Sequence, residues 1–346
     1  MAGEALIAAF DDPAVVELIV NDDGSVYVER AGGELEPLGK ATAQDAAALL
    51  GDIVGPQAFG PERPFADLTA RDGSRVHVLA YPLLRGPLAV TVRKKPPRRP
   101  GLQELCRGQT LTPGCAAFLA FAVEQRRNIL VVGGASSGKT TLLNALAALI
   151  SAKSRVLVVE DTPELTLPQP HVVYLRTRLR DGRLPDVTLR DLVVNTLRMR
   201  PDRIVIGEVR GPEAFDLLQA MNVGQEGVMA TLHAGSCREA LLRLETLVLM
   251  AGLDMPLKAV RGGIASAIDL VVFMGRLADG SRRVVQVSEV TGLELDAILM
   301  NDLFRTETRK SPQTLSFALR PTGSPPRFYD RLRRQGYDAP MEFFKE

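Results

Sequence analysis

The chain has 346 residues, of which 46% are hydrophobic and 24% charged, and its formal net charge at pH 7 is +1. This length predicts about two domains, and the apolar content supplies a core, which excludes a globally disordered chain. The balanced charge excludes a strongly basic protein that binds nucleic acid through its net charge.

The first residues and the cysteines indicate a cytoplasmic protein. The N-terminus carries an early glutamate and no basic stretch, so we expect no signal peptide. No apolar run approaches the roughly 18 residues that span a bilayer, so any membrane association is expected to go through a partner or the surface. The three cysteines lack metal-ligand spacing, which favours reduced thiols.

Residues 1–95 are predicted to form a small α+β domain. The sequence NDDG at residues 21–24 is a strong hairpin signal between two strand candidates. Thr42 can cap a helix whose apolar residues recur as far as Ile53. Four strands are expected, at residues 15–20, 25–30, 75–81 and 88–93.

Residues 96–108 are predicted to link this domain to the next. The run from Arg93 to Pro100 is rich in proline and basic residues, which is typical of a stiff, solvated connection. A nucleic-acid patch is the alternative, and it is disfavoured because no aromatic side chains interleave with these charges.

Residues 109–305 are predicted to form an α/β domain, because helical periodicity alternates with short apolar strands. This pattern indicates a mostly parallel sheet covered by helices, in which ligands bind at the carboxyl ends of the strands. Residues 306–346 are rich in proline and arginine and are predicted to be a C-terminal tail, whose secondary structure the sequence leaves undetermined. The expected strands are at residues 129–132, 155–161, 172–175, 202–208, 227–233, 269–273 and 284–287.

One stretch organises this domain. The sequence GGASSGKT at residues 133–140 follows a buried apolar strand and matches G-x-x-x-x-G-K-[ST] without a mismatch. Glycines in such a loop let backbone N–H groups approach a triphosphate, and the helix that follows adds positive charge from its N-terminus. A chance glycine-rich turn is the alternative, which the flanking strand and helix disfavour.

This loop predicts ATP and Mg²⁺ as cofactors. Lys139 would supply the counter-charge for the outer phosphates, and the Thr140 hydroxyl is placed to ligand Mg²⁺. The predicted nucleotide-binding residues are Gly133, Gly134, Ala135, Ser136, Ser137, Gly138, Lys139, Thr140 and Thr141.

Glu208 is predicted to be the second magnesium ligand. It follows an apolar strand at the place where a P-loop ATPase has its Walker B acid, and Gly207 occupies the usual aspartate position. Glu208 alone therefore supplies the carboxylate. The alternative is that Glu208 only pairs with Arg210.

Three acidic residues, Glu160, Asp161 and Glu164, follow another apolar strand. Neighbouring carboxylates repel one another unless a cation or arginines compensate, which favours a role beside Mg²⁺ or in water activation. A plain solvated surface is the alternative. Glu164 is the predicted water-activating residue.

His233 is predicted to sense the γ-phosphate from the end of its strand. A lone histidine more often only satisfies hydrogen bonds, but the neighbouring Thr231 and Gly227 favour the sensor. His77 and His171 lack such a setting and receive no role. Three scattered histidines do not indicate a metal site.

The segments around these residues resemble the secretion ATPase superfamily, whose members power type II and type IV secretion, conjugation and pilus assembly. Residues 279–283 and 289–292 look most like its tight-adherence, or Flp, pilus branch, known as CpaF or TadA. The Asp box, the Walker B motif and the His box of the superfamily are matched at residues 160–164, 207–208 and 224–233.

The resemblance implies a RecA-like P-loop NTPase domain preceded by a small α+β domain, a homohexameric ring, and ATP bound between the two domains. It also implies that arginines of the N-terminal domain reach the phosphates. Arg75 and Arg93 occupy the matching positions, and Arg71 is a weaker match. Such an arginine would neutralise charge on the transferred phosphoryl group.

The sequence departs from the family pattern in three places. The His box has Gln225 where the family usually has histidine, so we expect altered coupling between ATP state and ring motion. Residues 135–138 read ASSG where TGSG is common, which is compatible with the loop but stiffens it. The sequence starts almost at the first hairpin, so the long N-terminal extension of many tight-adherence members is expected to be absent, and regulation through it is not assumed.

The sequence therefore predicts a cytoplasmic ATPase motor at the inner face of the cytoplasmic membrane, which powers assembly of a Tad/Flp pilus or a related secretion system. Whether it also drives retraction is left open. The expected partners are other copies of the chain and inner-membrane platform proteins, and no nucleic acid is expected. The predicted catalytic residues are Glu164, Glu208, Lys139, His233, Arg75 and Arg93.

Three alternatives stay open. The first is an ATPase of conjugation or type IV secretion. The second is a RecA-like nucleic-acid motor, which the basic run from Arg93 to Arg99 suggests. Salt-dependent DNA binding with DNA-stimulated hydrolysis would support it. The third is a nucleotide-binding scaffold without hydrolysis, which Gln225 makes conceivable.

Overall fold

The computed structural model describes residues 2–30, 34–56, 59, 61–95, 99–178, 185–310 and 315–344. The chain forms two compact units, Met1–Arg98 and Arg99–Glu346. The first unit contains one hydrophobic core cluster and the second contains two. In the described part of the chain, no helix has both the length and the apolar character needed to cross a bilayer.

In its described residues, the first unit is a six-stranded antiparallel sheet in the order β3-β2-β1-β6-β5-β4, with two helices. Its core lies between the helices and one face of the sheet. The elements are α1 (Ala2–Asp11), β1 (Val15–Val20), β2 (Ser25–Arg30), β3 (Leu35–Lys40), α2 (Ala43–Ile53), β4 (Phe65–Thr69), β5 (Arg75–Ala80) and β6 (Leu88–Arg93).

Local sequence signals explain the predicted hairpin and helix of this unit, and both are present. Gly24 adopts φ +82° in the turn between β1 and β2, where an added Cβ would lie 2.5 Å from the carbonyl oxygen of Ala41. Thr42 and Asp45 form a capping box that satisfies the first backbone N–H groups of α2. The pattern analysis did not predict α1, β3 or β4.

The second unit is a nine-stranded sheet in the order β15-β14-β13-β12-β7-β11-β10-β8-β9. The six strands from β12 to β9 are parallel, and β13, β14 and β15 extend the sheet in antiparallel fashion. The strands are β7 (Ile129–Gly133), β8 (Val156–Glu160), β9 (Val172–Arg176), β10 (Arg203–Val209), β11 (Met229–His233), β12 (Leu270–Arg276), β13 (Arg282–Glu294), β14 (Ala297–Lys310) and β15 (Leu315–Pro321).

Helices cover both faces of this sheet, which confirms the predicted α/β class. Strand β7 is buried on both sides, with Val131 in one core cluster and Leu130 and Val132 in the other. The helices are α3 (Leu102–Arg107), α4 (Pro113–Glu124), α5 (Lys139–Ala147), α6 (Leu189–Thr196), α7 (Glu213–Asn222), α8 (Cys237–Leu249), α9 (Leu257–Ala267) and α10 (Phe328–Arg334), followed by a 3₁₀ turn at Glu342–Phe344.

The segments that flank the predicted ATPase domain on both sides contain helices or strands. Of the predicted linker 96–108, residues 96–98 lie outside the described residues, and Leu102–Arg107 form α3 of the second unit. Residue 306, where the predicted tail begins, lies inside β14. Beyond it, α10 and the 3₁₀ turn pack aromatic side chains around Phe118 of α4. These residues have no regular spacing in the sequence, so no periodicity revealed them.

Candidate nucleotide-binding site

The glycine-rich loop connects β7 to α5 at the carboxyl edge of the parallel strands. A Cβ on Gly133 would lie 2.4 Å from the carbonyl oxygen of Met274 and 2.5 Å from Ser137 Oγ, so only glycine fits there. Gly138 takes φ +96°. Ser136 takes φ +55°, which is costly for a residue with a side chain.

The loop has the donor groups that a phosphate chain requires. Gly134, Ala135 and Ser136 are exposed, whereas Ser137 is buried and its Oγ has no hydrogen-bond partner among the described residues. A buried hydroxyl without a partner is costly unless a ligand can accept a hydrogen bond from it. Helix α5 begins directly at Lys139, so its free N–H groups face the same loop.

Lys139 is 7% exposed, and its ammonium group turns back onto the loop. Lys139 Nζ donates to the carbonyl oxygen of Gly134 at 2.7 Å and lies 3.4 Å from His233 Nδ1. Because β7 and β11 are adjacent parallel strands, with Gly133 opposite His233, the lysine after one strand meets the histidine that ends the other. Thr140 and Thr141 follow in the first turn of α5 and are partly exposed.

Glu208 joins this group from the end of β10. Its Oε1 lies 2.6 Å from His233 Nε2, and its Oε2 accepts from Arg210 Nε at 2.6 Å and from the Nη2 of the same arginine. The Glu208 side chain is 15% exposed. The structure thus brings Lys139, His233 and Glu208 together, and it also contains the pairing with Arg210 that the sequence left as the alternative.

Gly207 is explained by the side chain that packs against it. A Cβ at Gly207 would lie 3.0 Å from Glu160 Cγ and 3.4 Å from Glu160 Oε1, so a residue with a side chain fits there only if Glu160 shifts. The Gly207 carbonyl oxygen accepts from Thr231 Oγ1. Thr231 is 1% exposed and ties β11 to β10, which leaves it buried in the sheet beside the predicted phosphate sensor.

This packing predicts opposite effects for two glycine substitutions. Gly207→Ala is expected to lower the free energy of unfolding of the second unit by about 1–3 kcal/mol, because Glu160 must move aside. Gly262→Ala, in the middle of α9, has its nearest neighbour 4.0 Å away and is expected to raise it by about 0.5–1 kcal/mol. Denaturant unfolding of both variants measures the difference, and equal effects would contradict the packing argument.

Protein groups contact the acidic cluster. The buried Glu160 Oε1 accepts backbone N–H bonds from Glu164 and Leu165, each at 2.9 Å. Asp161 Oδ2 lies 3.7 Å from Arg210 Nη1. Glu160 therefore shapes the loop that carries Glu164.

Glu164 lies beside Arg99. Its backbone oxygen accepts from Arg99 Nη2 at 3.1 Å, and its Oε2 lies 3.9 Å from the same nitrogen. The Glu164 side chain is 38% exposed, so its carboxylate stays in contact with water. Arg99 is therefore the ionic neighbour of Glu164.

The environment of His233 favours a neutral ring. Partial burial lowers its pKa, Lys139 and Arg210 lower it further, and Glu208 opposes them. In a neutral ring the nitrogen that faces the Lys139 ammonium accepts, which puts the proton on Nε2, towards Glu208. His233 can therefore connect the lysine to the carboxylate without carrying a charge.

Arg75 and Arg93 lie in the first unit. They are directly opposite each other in the register of β5 and β6. Arg75 lies 3.6 Å from Asp67, whereas Arg93 is exposed and has Glu17 opposite it on β1. Like charges on opposing strand positions repel each other, and the neighbouring Asp67 and Glu17 offset this repulsion.

Arg71 has a different setting, because Asp11 and Asp52 hold its guanidinium at 3.0 and 3.2 Å. Sequence reasoning missed two arginines of the second unit that contact the predicted acids. The first is Arg99, which lies beside Glu164. The second is Arg210, for which the sequence analysis proposed an ion pair with Glu208 but no role in the site. Arg210 could have been recognised from its place two residues after Glu208. Arg99 gave no signal within the basic run.

The arrangement fits a nucleotide with a magnesium ion. The loop offers a tight turn, exposed backbone N–H groups and a buried, unpaired hydroxyl for phosphate oxygens. The Thr140 hydroxyl and the Glu208 carboxylate are oxygen donors, which Mg²⁺ prefers, together with phosphate oxygens and water.

Known proteins resemble this chain over most of its length. The profile of the family described as type II/IV secretion system protein matches residues 68–307. The conjugal transfer protein TrbB of Rhizobium radiobacter is 33% identical over 296 residues, covering 84% of this chain and 88% of that protein. The type IV secretion system protein PtlH of Bordetella pertussis is 34% identical over 310 residues, covering 81% and 91%.

Solved structures share the fold. The ATPase DotB of Legionella pneumophila gives a TM-score of 0.58 at 21% identity and covers 81% of this chain and 78% of its own. The pilus retraction motor PilT with bound ADP gives a TM-score of 0.58 at 17% identity and covers 96% and 86%. At these identities the likeness concerns the fold alone.

Proposed function

We infer that this chain, which belongs to the type II/IV secretion system protein family, is an ATPase that drives a secretion or pilus machine. The observation that carries the inference is the meeting of Lys139, His233 and Glu208 beside the glycine-rich loop. An ammonium group, a carboxylate and an imidazole at the ends of adjacent parallel strands suit the binding and hydrolysis of a nucleoside triphosphate.

ATP and Mg²⁺ are the proposed cofactors. Residues 133–141 would surround the phosphates with backbone N–H groups and hydroxyls, and Lys139 would exchange the Gly134 carbonyl for the outer phosphates. Thr140 and Glu208 would hold the ion. When bound, it supplies charge neutralisation at the phosphates.

In the proposed reaction, water attacks the γ-phosphorus in line and ADP leaves with the electrons of the broken P–O bond. Glu164 orients the water and accepts its proton, and its exposed carboxylate is free enough to do so. His233 registers the γ-phosphate through its contacts with Lys139 and Glu208. Arg75 and Arg93 are proposed, on the resemblance, to add positive charge from the N-terminal domain.

We propose that residues 1–95 form the N-terminal α+β domain and that the second unit is the RecA-like ATPase domain. The packing of α10 around Phe118 supports including the described part of residues 306–344 in the ATPase domain. A homohexamer at the cytoplasmic face of the inner membrane, docked on platform proteins, is the proposed assembly.

Two machines are candidates. Residues 279–283 and 289–292 favour the tight-adherence pilus. The names of the relatives TrbB and PtlH favour conjugal transfer or type IV secretion. Deletion of the gene in its host separates them: loss of surface pili with normal DNA transfer supports the first, and loss of DNA transfer or protein export with normal pili supports the second.

Hydrolysis itself is tested with purified protein. We expect magnesium-dependent release of phosphate from ATP that added DNA does not stimulate. Stimulation by DNA that disappears with rising salt would support the nucleic-acid motor instead. Tight ATP binding without phosphate release would support a scaffold.

A further inference from the structure

In the Glu208 carboxylate, Arg210 holds one oxygen, Oε2, whereas the buried Oε1 lies close to the His233 ring and makes no hydrogen bond to the described residues. Arg210 donates to Oε2 through Nε at 2.6 Å and through Nη2, and His233 Nε2 lies 2.6 Å from Oε1. Two donors from one guanidinium fix an arginine more firmly than a single contact does. In this state Oε2 is therefore not available as a ligand.

Lys139 shows the same kind of engagement. Its ammonium donates to the Gly134 carbonyl oxygen at 2.7 Å, within the loop where phosphates are proposed to bind. It also approaches His233 on the opposite side of the ring from Glu208. The lysine, the histidine and the carboxylate thus form one chain of contacts that ends at Arg210, and a ligand that takes up one member must rearrange the others.

Arg210 has a second carboxylate within reach. Asp161 Oδ2 lies 3.7 Å from Arg210 Nη1, on the nitrogen that makes no bond to Glu208. The Arg210 side chain is 53% exposed, so it can move without opening the core. A small rotation would transfer the guanidinium from Glu208 to Asp161 and leave no charge unpaired.

A magnesium ion at Glu208 would have to share the carboxylate with the Arg210 guanidinium, and two cations on one carboxylate repel each other. We propose that Arg210 is a positioning residue that holds Glu208 until magnesium-bound nucleotide enters and then releases it by moving to Asp161. The inference rests on the proposed ATP site. It explains why nucleotide that binds without the ion is expected to leave Arg210 in contact with Glu208.

The proposal predicts a change in the coupling between nucleotide and ion. The measured quantity is the dissociation constant of mant-ATPγS in EDTA divided by its dissociation constant in excess Mg²⁺. In Arg210→Gln this ratio is expected to rise roughly three- to tenfold, because Glu208 no longer gives up an arginine to meet the ion. Solvent screening of the half-exposed arginine sets the upper limit. Arg210→Lys should lie between the wild type and Arg210→Gln.

Arg243→Gln is the matched control. Arg243 is exposed on α8 and acts on His233 through its charge, and the structure gives it no ion pair with Glu208 among the described residues. Its loss removes the same charge from the neighbourhood and should leave the ratio unchanged. An equal rise in this control would overturn the proposal, because charge alone would then explain it.

Two further outcomes are separable. A purely structural role for Arg210 would weaken binding equally with and without Mg²⁺, so an unchanged or lower ratio in Arg210→Gln overturns this inference and leaves the ATPase intact. A wild-type protein that binds no analogue in either condition overturns the proposed function as well.

Discussion

Lys139→Ala is expected to lower the rate of ATP hydrolysis by at least about a hundredfold, the loss typical of removing one preorganised group that stabilises charge in the transition state. The lysine is nearly buried beside the loop, and it is already tied to His233, which contacts Glu208. Its loss would remove the only side-chain cation that the loop itself carries. Phosphate release at saturating ATP measures the effect.

Lys153→Ala provides the comparison for this variant. Lys153 is an exposed lysine of the same unit, just beyond α5, and its removal should leave hydrolysis unchanged. If Lys139→Ala hydrolyses ATP at a rate close to that of wild type and of Lys153→Ala, the loop is not the site of the reaction.

Glu164→Gln is expected to lower kcat by about a hundredfold while the affinity for ATP stays nearly the same, because the amide can no longer accept a proton from water. The protein should remain folded. The exposed Glu164 carboxylate lies 3.9 Å from Arg99, a weak ionic contact, and the loop is held instead by backbone N–H bonds to Glu160. Steady-state kinetics and equilibrium binding of mant-ATPγS separate the two quantities.

Glu124→Gln removes an exposed carboxylate at the end of α4 and should change neither quantity. If Glu164→Gln retains the wild-type kcat, another group orients the water. If it loses affinity and kcat together, the residue helps to bind the nucleotide in the ground state rather than to activate water.

The centre of the second unit could be predicted because its signals are local. The buried strand β7, the glycines of the loop and the periodic helix α5 follow one another within some twenty residues, and each has a direct physical cause. The meeting of Lys139, Glu208 and His233 was predictable too, because parallel strands end at a common edge.

The elements that were missed lacked local signals. Strand β3 is exposed along its whole length, so no alternation marks it. The aromatic side chains of α10 and the last 3₁₀ turn pack around Phe118, which lies more than two hundred residues earlier. Contacts of this range are set by tertiary packing, and a periodicity analysis within one segment does not contain them.

The detailed state of the site was also beyond the sequence. The acids after β8 indicated a need for compensating charge, but not that backbone N–H groups would hold Glu160 or that Arg210 would bridge Glu208 and Asp161. Such contacts depend on the positions of side chains to within a few ångströms. The pairing of Glu208 with Arg210, one of two alternatives at the start, became the basis of a proposed release step.

The most direct test of the whole account is a structure of the protein with Mg²⁺ and a non-hydrolysable ATP analogue. The account predicts that Lys139 Nζ leaves the Gly134 carbonyl oxygen and lies within hydrogen-bonding distance of a γ-phosphate oxygen, with the ion on Thr140 Oγ1. An analogue bound elsewhere, or a Lys139 that keeps its contact with Gly134 while the analogue is present, would contradict it.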